Sequence, residues 1–340
     1  MLQLINDTPF PAQLGLFVDP QGHQVATVVL KATLRIPGPD LVACEPALKQ
    51  LPVLPEPTYE GRPGQSSIRY PADLVPSKRG TDVVFVGHAY TPGARRMTEL
   101  PVHLQIGPLR KSIDVVGDRR WGAGRIGASM SSPTPFMKMP VVYERAYGGR
   151  SQSSKAADQS TLDERNPVGT GYCASRRDVH GQSLPNLEDP RHRIRSWRRR
   201  PPVAGLGAVD GHWSGRRRWA GTYDDRWRAH RCPVLPMDFD PRFHQVAGDG
   251  LCSSRALRGE QSVTLVHLAV ERVLRFRLPD VRVRMGFCLA DMVEEREGQL
   301  WTVLLEPDEQ RVVMVWGASC RIGKRPSALG VVELQAKRAA

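Results

Sequence analysis

The chain has 340 residues, 40% apolar and 24% charged, a composition that builds a hydrophobic core and excludes a disordered or fibrous chain. No run approaches the 18 or so apolar residues of a membrane span. The opening Met1-Leu2-Gln3-Leu4-Ile5-Asn6-Asp7 has neither region of a signal peptide, and the six cysteines (44, 173, 232, 252, 288 and 320) form no CxxC pair, so a reducing cytosol is expected rather than a disulfide scaffold.

Gly and Pro number 31 and 29, about 18% of the chain against about 12% in typical proteins, so turns are over-supplied and long helices are not expected. In chain order, Val18-Asp19-Pro20-Gln21-Gly22 reads as a hairpin turn. It leads into Gln24–Ile36, where Val28, Leu30, Ala32, Leu34 and Ile36 alternate with Thr27, Lys31, Thr33 and Arg35. That period of two predicts a long, half-buried strand. Asp82–Tyr90, Val102–Ile106 and Lys111–Val116 repeat the pattern, with Gly107-Pro108 as the turn between the last two.

The stretch from Trp121 to Gly250 has little period and many Pro, Gly, Arg and Trp residues. A structureless run of that length is improbable as a plain loop, so an ordered, loop-rich layer held by aromatics and ion pairs is expected. Ser151–Ser160 is polar and reads as a mobile insertion. Strand patterns return at Ser262–Val270, Val273–Leu278, Val281–Met285, Trp301–Leu305 and Arg311–Trp316, with Pro307–Gln310 turning the last hairpin. From Arg325 onward a short helix or a frayed tail is expected. The fold class is therefore mainly β, with antiparallel sandwich or open-barrel sheets, a long loop-rich central layer and few short helices. The expected divisions are an N-terminal β module (1–120), the central layer (121–250), C-terminal strands completing the sheets (251–325) and a tail (326–340).

The net charge is +13, carried by 40 Arg and only 8 Lys, a skew that reads first as the codon usage of a GC-rich genome. The excess is uneven: Arg191–Arg231 holds 12 Arg and 3 acids, with Trp197, Trp213, Trp219 and Trp227 interleaved. Such a patch suits an acidic protein partner anchored by Trp and Arg, single-stranded nucleic acid stacked on indoles, or simply a solvated basic loop.

Enzyme motifs fare poorly. Gly122-Ala123-Gly124-Arg125-Ile126-Gly127 is a literal GxGxxG, but Pro133 and Pro135 forbid the helix a dinucleotide site needs. Gly317–Lys324 has one residue too many for a P-loop, and Arg325 stands where Ser or Thr should bind magnesium. HExxH and GxSxG are absent. His230, Cys232, His244 and Cys252 have no common zinc spacing. Asp238 and Asp240 would share a face on an extended chain, as an acid/base pair requires, yet no histidine or nucleophile is tied to them. No metal or cofactor is expected.

A series of phrases, taken together and in order, carries a family resemblance. They include Asn6-Asp7-Thr8-Pro9-Phe10, Val28-Val29-Leu30-Lys31-Ala32-Thr33, Ala72-Asp73-Leu74-Val75-Pro76-Ser77-Lys78 and Thr81-Asp82-Val83. Further along come Gly117-Asp118-Arg119-Arg120-Trp121, Pro135-Phe136 with Met139-Pro140, Tyr143-Glu144-Arg145-Ala146-Tyr147-Gly148-Gly149 and Asn166-Pro167-Val168-Gly169-Thr170-Gly171. Leu184-Pro185-Asn186-Leu187-Glu188, Ala220-Gly221-Thr222-Tyr223-Asp224 with Trp227, and Leu235-Pro236-Met237-Asp238-Phe239-Asp240 complete the set.

Across about residues 3–285 the chain resembles the bacterial domain-of-unknown-function family encoded beside type VI secretion spike proteins and their effectors. The resemblance implies a cytoplasmic adaptor or chaperone without catalytic residues. Its implied partners are a secreted effector protein and the VgrG and PAAR spike proteins. Other readings of the chain are a hydrolase-type enzyme with an unrecognised site and a basic nucleic-acid-binding protein. Lys31, Asp73, Lys78, Asp82, Arg119, Glu144, Arg145 and Asp238 are charges in apolar or turn-forming contexts, and such charges tend to pair. With Trp121, Asn186, Glu188 and Trp227 they are the candidates for ion pairs that fasten the loop layer to the sheets, or for the lining of a partner-binding groove.

Overall fold

A computed structural model describes residues 2–38, 44–124, 127–151, 161–290, 292–323 and 329–338. Gln24–Arg35 forms a twelve-residue strand, paired antiparallel with Ala12–Val18 on one side and with Arg311–Gly323 on the other. Gln299–Glu306 follows Arg311–Gly323, and Asp82–Phe85 closes that side in parallel. The two-residue Glu45–Pro46 pairs beside Leu34 and Arg35 and makes the sixth strand.

The alternation in Gln24–Arg35 predicts one wet face, but both faces are covered. Val28, Leu30, Ala32 and Leu34 enter the main core, while Val29 joins a second core with Val84, Trp301, Val313 and Val315. Thr27, Lys31 and Thr33 are also buried. Their polar groups are met by residues 50–76: the Thr27 hydroxyl donates to the Pro76 carbonyl, Leu51 N–H donates to Thr33 Oγ1, and Gln50 bonds both backbone groups of Thr33. The polar face of this strand is thus roofed by chain rather than by water.

A five-stranded antiparallel sheet runs in the order Leu187–Glu188, Leu109–Val116, Glu99–Ile106, Ser262–Val266, Val273–Arg277. Ser262–Val266 is shorter than the sequence predicts, because His267, with φ 58°, turns the chain and its N–H closes onto Arg272. Asp82–Tyr90 likewise divides into two strands. After Phe85 the chain leaves the six-stranded sheet, and His88–Tyr90 pairs with Lys138–Pro140. The third large sheet orders Gln3–Asn6, Leu329–Arg338, Val281–Leu289 and Met292–Glu297. Its second member corrects the expected helical or frayed end: Leu329–Arg338 is an interior strand with Val332 and Leu334 buried.

All three sheets feed one core, in which Leu30, Val303 and Val312 meet Leu104 and Leu265, and Val283, Phe287 and Val332. The architecture is mainly β, mostly antiparallel, with two short α-helices and, among the described residues, no closed barrel. N- and C-terminal segments share sheets, so the framework closes only when residues about 280 apart in sequence have met.

Between Trp121 and Gly250 lies the loop-rich layer. It contains a small sheet (Tyr147–Arg150 with Leu162–Asp163 and Thr170–Gly171), the hairpin Trp121–Gly124 with Gly127–Met130, and the helices Ser214–Arg217 and Asp225–His230. The literal GxGxxG is this hairpin, not a strand leading to a helix. The polar insertion expected at Ser151–Ser160 lies, beyond Ser151, outside the described residues.

Candidate functional site

Four of the charges singled out in the sequence form two pairs that fasten loops to the six-stranded sheet. Lys31 Nζ stands 2.7 Å from Asp73, and both side chains are nearly inaccessible. Asp73 also accepts the Leu54 N–H at 2.8 Å. Burial holds its carboxyl above the ordinary range against the pull of Lys31. Lys78 Nζ stands 2.7 Å from Asp82 and donates to Thr302 Oγ1. The Asp82 carboxylate in turn accepts the N–H groups of Val246 and Ala247 at 3.0 and 3.1 Å, so one buried anion joins a strand, a turn and the far end of the central layer. Removing one member of such a pair strands the other without solvent.

Four of the phrases singled out in the sequence converge in a second place. Asn186 is the joint. Its N–H donates to Arg145 O at 2.8 Å and its carbonyl accepts Val116 N–H at 2.7 Å. Its side-chain amide donates to Val116 O and Asp118 Oδ1, both at 2.9 Å, and its Oδ1 accepts from Arg145 at 2.8 Å. Arg145 also stands 3.5 Å from Asp118. Both carboxylate oxygens of Glu144 accept from Ser67, through its N–H at 2.6 Å and its hydroxyl at 2.7 Å. Arg119 donates to the Pro185 carbonyl and is paired with the buried Glu188. Glu188 is further bonded by Arg193 Nε at 2.8 Å and by Ile194 N–H at 3.1 Å.

Arg193 also reaches Asp114 at 2.7 Å and pairs with Glu99, whose hydrogen bond holds the guanidinium above its ordinary range. The return effect on Glu99 is a carboxyl held below its usual value, chiefly by that hydrogen bond. These contacts tie Glu99–Ile106 and Leu109–Val116 of the five-stranded sheet to the central layer.

Glycines let the segments meet. At Gly149 (φ 84°) an added Cβ would lie 2.0 Å from Gly169 O, and at Gly169 one would lie 2.4 Å from the Asn166 amide. Asn166 is fully buried between them and donates to the carbonyls of Tyr143 and Tyr147. Only residues without a side chain allow backbones this close.

The result is an open cleft of about 580 Å³ where Arg119, Glu144, Arg145 and Asn186 come together with Asp118, Ser131 and Thr170. Arg145 and Asp118 are accessible, with side chains 35% and 74% exposed, and the exposed Arg120 lines the cleft beside them. Among the described residues lining it, none is His or Cys, and both Glu144 oxygens are already committed. The arrangement offers hydrogen-bonding and charged groups to a polar partner.

The remaining predicted residues lie elsewhere. Trp121 is buried in a separate cluster with Tyr147, Tyr172, Val179 and Ile194, against which Trp197 packs. Trp227 is half-buried, its indole donating to Val234 O at 2.8 Å and its edge against Tyr223. Asp238 accepts the N–H and hydroxyl of Thr222, and Asp240 caps the turn Pro241–His244 and binds Arg242. Each of the two Asp residues is thus committed to its own turn.

Trp213 is buried edge-on against Tyr143, 5.1 Å between ring centres. Of the indoles of this layer, Trp121 and Trp213 are buried and Trp197, Trp219 and Trp227 half-buried. Several of its arginines are anchors as well: Arg216 donates to Val209 O and Phe243 O, and Arg231 to Leu235 O and Pro20 O. His244 packs beside Phe239 and Phe243, where burial takes its pKa down to about 4. Cys252 is pushed up to about 12, again chiefly by burial. Among the described residues no group of three or more His, Cys, Asp or Glu is placed to hold a metal ion.

Sequence reasoning missed Ser67, Asn166 and Arg193. Asn166 carried a signal, as the start of an Asn-Pro turn. Arg193 sits in an Arg-rich run with nothing to distinguish it from its neighbours, since two of its three carboxylate partners, Glu99 and Asp114, are 94 and 79 residues away.

Among the described residues, no helix is long and apolar enough to cross a membrane. Comparisons with curated proteins and with solved structures returned no match. Residues 21–317 do match the model of a family described as an uncharacterized protein conserved in bacteria (DUF2169), and the chain belongs to that family.

Proposed function

We propose that this protein is a non-enzymatic adaptor or chaperone. It binds a type VI secretion effector in the bacterial cytosol and assists its loading onto the VgrG–PAAR spike. The observation that carries the reading is the convergence of four motif segments on one open, polar cleft. Their charged groups build a rigid framework and leave Arg145 and Asp118 accessible at its surface. A surface of that kind suits recognition of another polypeptide, for which an Arg side chain held by its neighbours is a favoured anchor. The effector and spike identities rest on the family resemblance of the quoted phrases. No cofactor enters the proposal.

The test is co-expression of the full chain with the effector encoded beside it, followed by size-exclusion chromatography with and without the spike protein. Co-elution with the effector, and transfer to the spike when that is added, is the expected result. A chain that elutes alone from an effector-containing mixture overturns the reading. So does turnover of a small-molecule ester or phosphodiester, abolished by substitution of a single cleft residue.

A further inference from the structure

Eight of the twelve arginines of Arg191–Arg231 fall into two sets. Arg193, Arg217 and Arg228 are paired with carboxylates, Arg216 and Arg231 are bonded to backbone carbonyls, and Arg200 donates to the Tyr172 hydroxyl. Arg195 and Arg198 are exposed and have no carboxylate partner among the described residues. Both line one cleft of about 570 Å³, together with Arg176, His180, Trp121 and Trp197. No Asp or Glu is among the described residues lining it. A cleft with three guanidiniums and an imidazole, and no carboxylate among the described residues of its wall, is an unbalanced positive site.

The groups are held rather than dangling. Arg176 begins a 3₁₀ turn closed by a capping box between Ser175 and Asp178. Trp197, between Arg195 and Arg198, packs on the cluster that buries Trp121. The opposite wall is the glycine-rich hairpin. All four residues of Gly127–Met130 are exposed, and among the described residues that strand pairs only with Trp121–Gly124. Its small side chains leave backbone N–H and C=O groups accessible along an open edge, the template on which an extended peptide adds a strand.

We infer that this cleft binds an extended, acidic segment of the partner protein, laid along the Gly127–Met130 edge with its carboxylates on Arg176, Arg195 and Arg198. The inference deepens the adaptor reading and rests on it for the partner being a protein. A single-stranded nucleic acid is the less favoured occupant, because no indole face is free for a base. Trp121 is 4% exposed, and the Arg198 guanidinium stands 5.3 Å over the Trp197 ring.

The test uses the full chain and a fluorescein-labelled decapeptide of alternating Asp and Val. Its Asn–Val counterpart and a labelled decathymidylate serve as competing chemistries, all read by anisotropy at low and moderate salt. The Asp–Val peptide is expected to bind most tightly. The exposed triple variant Arg176→Ala/Arg195→Ala/Arg198→Ala is expected to weaken it at least tenfold. The control variant Arg275→Ala/Arg282→Ala/Arg284→Ala removes the same charge from other exposed positions and should leave affinity within about twofold, which separates a site from general electrostatic attraction. No binding of the acidic peptide, equal losses in the two variants, or tighter binding of the oligonucleotide overturns the inference. The two readings fail separately. Effector co-elution that survives the cleft variant sinks the cleft and spares the adaptor, whereas a wild-type chain that never co-elutes sinks the adaptor and leaves the peptide titration to decide the cleft.

Discussion

The Lys78–Asp82 pair supplies the sharpest test of how the loop layer is held. Lys78→Met keeps side-chain length and apolar volume but leaves the Asp82 carboxylate, with 0% exposure, without its ion-pair partner 2.7 Å away. Stranding a buried charge costs about 3–5 kcal/mol, a large share of the roughly 5–15 kcal/mol that holds a domain folded. For a 340-residue chain with an unfolding entropy of about 2.1 cal/mol/K per residue, that is a drop in Tm of roughly 4–7 °C. Urea unfolding followed by Trp fluorescence reads the loss directly, since Trp301 and Trp316 are buried. Asp82→Asn in the Lys78→Met background removes the stranded charge while its amide oxygen still accepts from the central layer. The double variant should therefore be more stable than the sum of the two single losses by about 2 kcal/mol. A Lys78→Met protein that melts within about 1 °C of wild type, or strictly additive losses, would refute the claim that this ion pair fastens the layer.

Gly149→Ala sets a Cβ 2.0 Å from a carbonyl oxygen at a φ of 84° and should cost about 2–3 kcal/mol, measured as a lower urea midpoint; an unchanged midpoint argues against the crossing being tight. His244 makes stability acid-sensitive. Its folded pKa of about 4 lies below the unfolded 6.5, so protonation is deferred in the fold, and stability present above pH 6.5 is lost as pH falls toward 4. Between pH 7 and pH 5 that is about 2 kcal/mol, and His244→Phe should flatten that part of the stability–pH curve; an unaltered slope refutes it. Arg145→Ala removes the bond to Asn186 Oδ1 and the pairing with Asp118. The expected stability loss is about 1 kcal/mol, with weaker effector co-elution; a variant unchanged in both has no place in either the scaffold or the binding reading.

Much of the framework was legible in the chain. Period-two alternation located the strands at Gln24–Arg35, Glu99–Ile106, Leu109–Val116 and Arg311–Gly323, because a pleated strand presents successive side chains to opposite faces. The final strand Leu329–Arg338 was missed, since it follows a basic, proline-containing stretch that reads as a stop. The candidate site was half legible: among the charges set in apolar or turn-forming phrases, Lys31 stands against Asp73, Lys78 against Asp82 and Arg119 against Glu188, whereas Glu144 and Asp238 bond to Ser67 and Thr222. Which partner each takes was not readable, because Lys31 with Asp73, Arg119 with Glu188 and Arg145 with Asn186 are 42, 69 and 41 residues apart.

Composition and periodicity by themselves determined the β class, the absence of long helices, the loop-rich middle and the presence of charges that must be compensated. They work because strand pattern and charge burial are set by neighbours in sequence and by the cost of leaving water. Only the tertiary structure decided that the polar face of Gln24–Arg35 is roofed, that the indoles of the central layer are buried or half-buried, and that some arginines of one run are bonded anchors while others stand open in a single cleft. A guanidinium looks the same in every context along the chain; its role depends on what distant segments bring within about 3 Å of it.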